Sequence, residues 1–159
     1  MEMAGERQIA ATREAVWAAL NDPEVLKACI PGCEMIEQLS PTEMKAVVKV
    51  KIGPMSAKFS GAVTLSDLDP PHGYTISGSG QGGAAGFAKG GATVRLEENE
   101  GGARLSYAVQ AQVGGKMAQI GARLIDATAK SLADQFFTRF AETIGAPLPT
   151  PAEPDTTSA

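Results

Sequence analysis

The chain has 159 residues, 14 Lys and Arg against 18 Asp and Glu, and a formal net charge of −4. That length can bury one sizeable core, and an acidic balance with no basic run argues against nucleic acid as a partner. Two cysteines and one histidine neither complete a four-ligand zinc site nor imply a disulfide framework, which suits a reducing, cytoplasmic setting.

Taken in order, the start MEMAGERQIAA lacks the basic and apolar blocks of a signal peptide. Residues 3 to 11 read as an opening strand with Ile9 inward. Thr12 caps a short helix, Arg13 to Leu20, that carries Val16, Trp17 and Leu20 at helical spacing. Asp22-Pro23-Glu24 starts a second helix, with a capping carboxylate, proline at the first helical position and a negative charge at the positive end of the dipole. Pro31-Gly32 ends it.

From Glu34 onward the period becomes two. In Met44 to Ile52 the even positions are apolar and most odd ones are lysine, a half-buried antiparallel strand with one wet face. The next strand turns Ala57, Phe59, Gly61, Val63 and Leu65 inward. Asp69-Pro70-Pro71-His72-Gly73 is a turn, after which Tyr74, Ile76 and Gly78 face in. Ala92, Val94 and Leu96 follow on one strand, and Leu105, Tyr107, Val109, Ala111 and Val113 on the last. Gly114 to Ile144 reads as one long helix, stopped by Gly145 and Pro147. Such a helix is the one large element able to cover a single-sided sheet. The fold class is therefore α+β: six to seven curved antiparallel strands around a long C-terminal helix, with two short helices after the first strand. Residues 1–145 make this domain, and the proline-rich stretch 146–159 reads as a disordered tail.

Gly78 to Gly91 formally contains a G-x-G-x-x-G dinucleotide fingerprint, but no helix follows and no βαβ unit surrounds it. Glycines on an inner strand face permit bending, and they leave volume that side chains would otherwise fill. Cys29 and Cys33 lack the C-x-x-C redox spacing and read as small packed thiols. His72 falls in a proline-rich turn, and the sequence suggests no partner for it. Lys45, Lys49 and Lys51 read as a solvated strand face, with a docking surface for an acidic partner as the sharper alternative. The inward positions are aliphatic, aromatic or glycine, so acid–base catalysis has no groups to work with and binding is favoured over catalysis.

Those inward residues define a candidate cavity. Val48, Val50, Phe59, Val63, Ile76, Val94, Tyr107 and Val109 are expected to line it, Met117, Ile120, Gly121 and Leu124 to roof it, and Ile30 and Phe87 to stand at its mouth. Small residues at Gly78, Gly80, Gly90 and Ala92 are expected to leave the space. Tyr107, an inward phenol, can donate a hydrogen bond to a ligand or to backbone.

Several stretches together carry a resemblance. Asn21-Asp22-Pro23-Glu24, Cys29-Ile30-Pro31-Gly32-Cys33-Glu34, Leu65 to Pro71, Gly86-Phe87-Ala88-Lys89-Gly90 and Gly114 to Ile125 resemble the G-subunit family of carbon monoxide dehydrogenase, within the START-like helix-grip superfamily, over about residues 3 to 145. The resemblance implies a non-enzymatic accessory to molybdenum-containing dehydrogenases and related hydroxylases. It also implies a respiratory quinone or other lipophilic ligand in the cavity, with no tightly bound cofactor. It further implies peripheral contact with the inner membrane face, although no membrane anchor is read in this chain up to Ala159. An adaptor for assembly or membrane recruitment without a functional ligand is the alternative, and an enzyme of the polyketide cyclase kind a third.

Overall fold

The computed structural model describes residues 1–144. Strand β1 (Glu2–Ile9) leads into helices α1 (Arg13–Leu20) and α2 (Pro23–Cys29). Both caps form as their residue types dictate: Thr12 Oγ1 accepts from the Ala15 N–H at 3.1 Å and Asp22 Oδ1 from the Glu24 N–H at 3.0 Å. Six strands follow: β2 (Cys33–Ser40), β3 (Glu43–Ile52), β4 (Met55–Asp69), β5 (Gly73–Gln81), β6 (Phe87–Asn99) and β7 (Gly102–Gly114). They form one antiparallel sheet in the order β1-β7-β6-β5-β4-β3-β2, so β1 and β2 are its edges. Helix α3 (Ala122–Ile144) lies on its inner face. The expected α+β helix-grip architecture is the one observed.

The start of the long helix is a correction. β7 runs to Gly114, a 3-10 turn spans Gly115–Ile120, and α3 begins only at Ala122. Met117, Ile120 and Leu124 have helical spacing, and a 3-10 turn imitates that spacing over so short a run. Gly121 makes the break, with φ of 102°, a conformation that L side chains avoid. The 23 residues of α3 span about 35 Å. The glycine-rich stretch is likewise ordered: β5 continues to Gln81 and β6 resumes at Phe87, joined through a 3-10 turn at Gly83–Ala85. The proline-rich stretch 146–159 lies outside the described residues.

The packed core sits where α1 and the C-terminal half of α3 meet the sheet. Ile9, Val16, Cys29, Leu105 and Phe140 are its most completely enclosed side chains. Trp17 meets Tyr74 edge-on, with ring centroids 5.2 Å apart. Cys29 and Cys33 are free thiols, and the Cys29 sulfur lies 3.6 Å from the Thr143 hydroxyl.

Candidate ligand-binding site

Side-chain size divides the sheet's inner face into two zones. Toward the β4–β5 and β6–β7 hairpins the cross-strand rows carry large groups: Leu96 opposite Leu105, then Tyr74, Val94 and Tyr107 in succession. Farther along, one row reads Val63, Gly78, Gly90, Ala111 and the next Ala46, Gly61, Gly80, Ala88, Val113. α3 sends Ala133, Phe136 and Phe137 toward this boundary. What remains is an apolar chamber of about 320 Å³, beside a more open trough of about 370 Å³ over the small-residue rows. The two share Ala46, Val63, Ile76, Ala92 and Val109 on their walls.

The glycines do two jobs here. A Cβ on Gly61 would come within 2.3 Å of the Ser79 carbonyl oxygen, and one on Gly90 within 2.1 Å of that of Gln110. These positions let neighbouring backbones approach as the sheet bends. A Cβ on Gly80 would meet nothing nearer than Phe59, at 3.6 Å. That position leaves space.

Tyr74 and Tyr107 bring the chamber its hydroxyls; the rest of its lining is aliphatic, phenyl or the thioethers of Met3 and Met44. Burial pushes the Tyr74 phenol up to about 12, so it keeps its proton at neutral pH and can donate. Tyr107 stacks on Phe137 at 5.2 Å, and its hydroxyl lies over Gly5, where a Cβ would come within 2.6 Å. Arg7, two residues farther along β1, bonds the Asp134 carboxylate of α3 and stands 5.2 Å from the centre of the Phe137 ring. Its guanidinium holds Asp134 below the usual carboxylate range, helped by Lys130 at 3.3 Å. The ion pair thus ties the edge strand to the helix beside the chamber wall.

Of the residues expected at the cavity, Ile30, Val63, Ile76, Val94, Tyr107 and Val109 border the chamber. Val48 and Phe59 border the trough. Val50 falls in a separate surface groove with Pro31, Thr128 and Leu132. Met117, Ile120, Gly121 and Leu124 do not form the roof. Met117 is buried in the 3-10 turn, Gly121 faces open space, and Leu124 packs on the β3–β4 turn at Gly53. The roof comes from α3 residues more than two turns later because the helix starts later. Phe87 does not stand at the mouth: it has the parity of the outward positions of β6, and its ring lies over Gly114.

Sequence reasoning did not include Met3, Leu20, Leu26, Ile36, Met44, Leu65, Tyr74 or Leu105 among the lining, nor Ala133, Phe136 and Phe137 in the roof. Arg7 was passed over too, although its even spacing from Ile9 was the available signal.

A curved antiparallel sheet gripping a C-terminal helix above an apolar space defines the helix-grip class of binding folds. Structural comparison agrees. A conserved protein from Geobacillus kaustophilus aligns with a TM-score of 0.86 at 31% identity, covering 92% of this chain and 96% of that one. Proteins from Thermus thermophilus (TM-score 0.68, 14% identity, 94% and 100% covered) and Mycobacterium smegmatis (TM-score 0.68, 14% identity, 92% and 92% covered) share the fold. No protein of curated function matches. The family model for CoxG, the G subunit of carbon monoxide dehydrogenase, matches residues 5–145, and the chain belongs to that family. No described helix is long and apolar enough to cross a membrane.

Proposed function

We propose that this protein is a non-enzymatic accessory subunit of a molybdenum-containing carbon monoxide dehydrogenase or a related hydroxylase, and that it carries a lipophilic ligand, a respiratory quinone, beneath α3. Family membership supports the accessory role. The observation that carries the ligand reading is the chamber of about 320 Å³ with the small-residue trough beside it. A close-packed core would have filled that volume, and concave apolar spaces with few polar groups are where such ligands bind. A flat head with a flexible apolar tail suits this shape, with the head in the chamber and the tail along the trough. Tyr74 and Tyr107 are the donors available to a quinone carbonyl.

The test is organic extraction of the purified full chain and mass spectrometry of what is released, followed by titration of the stripped protein with a short-chain ubiquinone. A stoichiometric quinone in the extract and saturable uptake by the stripped protein are expected. An extract free of lipids, together with no uptake, would overturn the ligand reading and leave an adaptor.

A further inference from the structure

The outer face of the sheet carries a charge pattern that the ligand space does not use. Register places Lys45, Ala62, Ser79, Lys89 and Gln112 in one row across five strands. The next outward row holds Val47, Ser60, Gln81 and Phe87, and the one beyond sets Lys49 directly opposite Lys58. Lys51 follows on β3. Lys58 is paired with Glu34 at 3.0 Å, and Glu37 is the cross-strand neighbour of Lys45. Among the described residues Lys45, Lys49, Lys51 and Lys89 make no ion pair. All of this sits on a chain whose net charge is −4. Like charges facing each other across a strand pair cost stability, so folding alone does not favour this arrangement.

Two further features share the face. Phe87 is 39% exposed, lying between the two lysine rows. A trough of about 760 Å³ runs alongside, bordered by Thr64, Ser77, Ser79, Lys89 and Gln112, with Glu2 as the one carboxylate at its β1 end. Hydroxyls and amides in a concave strip suit the backbone and side chains of an extended segment. A flat bilayer would not enter that concavity, and Phe87 lies along the sheet over Gly114 and does not project outward as a membrane-inserting side chain would.

We infer that this outer face docks an acidic, extended segment of the partner enzyme, its carboxylates on Lys45, Lys49, Lys51 and Lys89 and an apolar side chain covering Phe87. The inference rests on the accessory reading and names the surface that serves it. Long-range attraction would speed encounter and set orientation, and it would weaken as salt rises.

The experiment measures binding of the full chain to the purified carbon monoxide dehydrogenase of the same organism, at low and at physiological ionic strength. Lys45→Glu/Lys49→Glu/Lys89→Glu is compared with Arg123→Glu/Arg139→Glu, which reverses exposed charges on α3. Lys45→Gln/Lys49→Gln/Lys89→Gln serves if the reversed variant fails to fold by thermal melting. We expect the lysine variants to lose about tenfold or more in affinity and most of the salt dependence, while the α3 variant binds as wild type. Carbodiimide coupling, which joins lysine amines to carboxylates, is expected to link these lysines to one acidic stretch of the enzyme.

If wild type binds and the lysine variants bind equally well, the docking face is wrong and the accessory reading stands. If wild type does not bind the enzyme at all, the accessory reading falls and the docking face with it. If the lysine variants keep the enzyme but lose binding to phosphatidylglycerol-containing vesicles, the face meets lipid and the inference is overturned.

Discussion

The two ends of the same sheet behave differently although their strands alternate identically. At one end Ile9, Leu96 and Leu105 meet α1 and Phe140, and almost nothing of them reaches solvent. At the other, Gly78, Gly80, Gly90 and Ala88 hold the same inward parity and leave a trough. Backbone pattern settles which face is covered, and side-chain volume settles whether the covered space is filled. A helix-grip domain becomes a container by withholding methyl and phenyl groups from two rows of one sheet.

The sharpest test of that contrast uses two phenylalanines one helical turn apart. Phe140 is fully enclosed, while Phe136, stacked on it at 5.5 Å, borders the chamber. Phe140→Ala is expected to cost about 3–5 kcal/mol of stability in chemical denaturation. Phe136→Ala should cost about half of that or less, because its ring already faces empty volume. Equal losses would erase the distinction between core and container.

A second test fills the trough. At Gly80 a Cβ would sit in ordinary van der Waals contact with Phe59, at 3.6 Å, on the trough wall, so Gly80→Leu should change stability by less than about 1 kcal/mol, whereas overpacking a solid core costs about 1–3 kcal/mol. Uptake of a short-chain quinone should fall about tenfold, read by titration of the stripped protein. Unfolding of the Gly80→Leu variant would mean the trough is not space in solution.

The smallest effect expected is electrostatic. Arg7 holds Asp134 below its ordinary range, so the ion pair's contribution is present above the unfolded carboxylate value, about 3.9, and is lost as pH falls through the lower folded value. Wild type should therefore lose stability on acidification more steeply than Asp134→Asn, by comparison of melting temperature against pH. Both groups are partly exposed, and salt should shrink the difference. Identical pH profiles would remove the ion pair as a tie between β1 and the helix.

How much of this was legible beforehand follows from which interactions are local. The caps at Thr12 and Asp22 and the alternation of Met44 to Ile52 or Leu105 to Val113 are properties of neighbouring residues, and they read directly. The inward parity of Val63, Ile76, Val94 and Val109 carried straight to the chamber wall. The roof did not read, because which α3 residues lie over the chamber depends on where the helix starts. Met117, Ile120 and Leu124 keep helical spacing through a turn that is not α-helical. Phe87 was misplaced because β6 begins at that residue, and its parity has meaning only once the strand is known. Arg7 looked like an ordinary surface charge until α3 supplied Asp134.

The edge-on contact between Trp17 and Tyr74 has an optical consequence. Trp17 is the one tryptophan in the chain, and its partner Tyr74 forms part of the chamber wall. If the chamber takes up the proposed quinone, a group that absorbs in the near ultraviolet and accepts electrons, the indole emission would be quenched from across the Tyr74 ring. Filling of the chamber would then be readable in a cuvette, without a label and before any extraction.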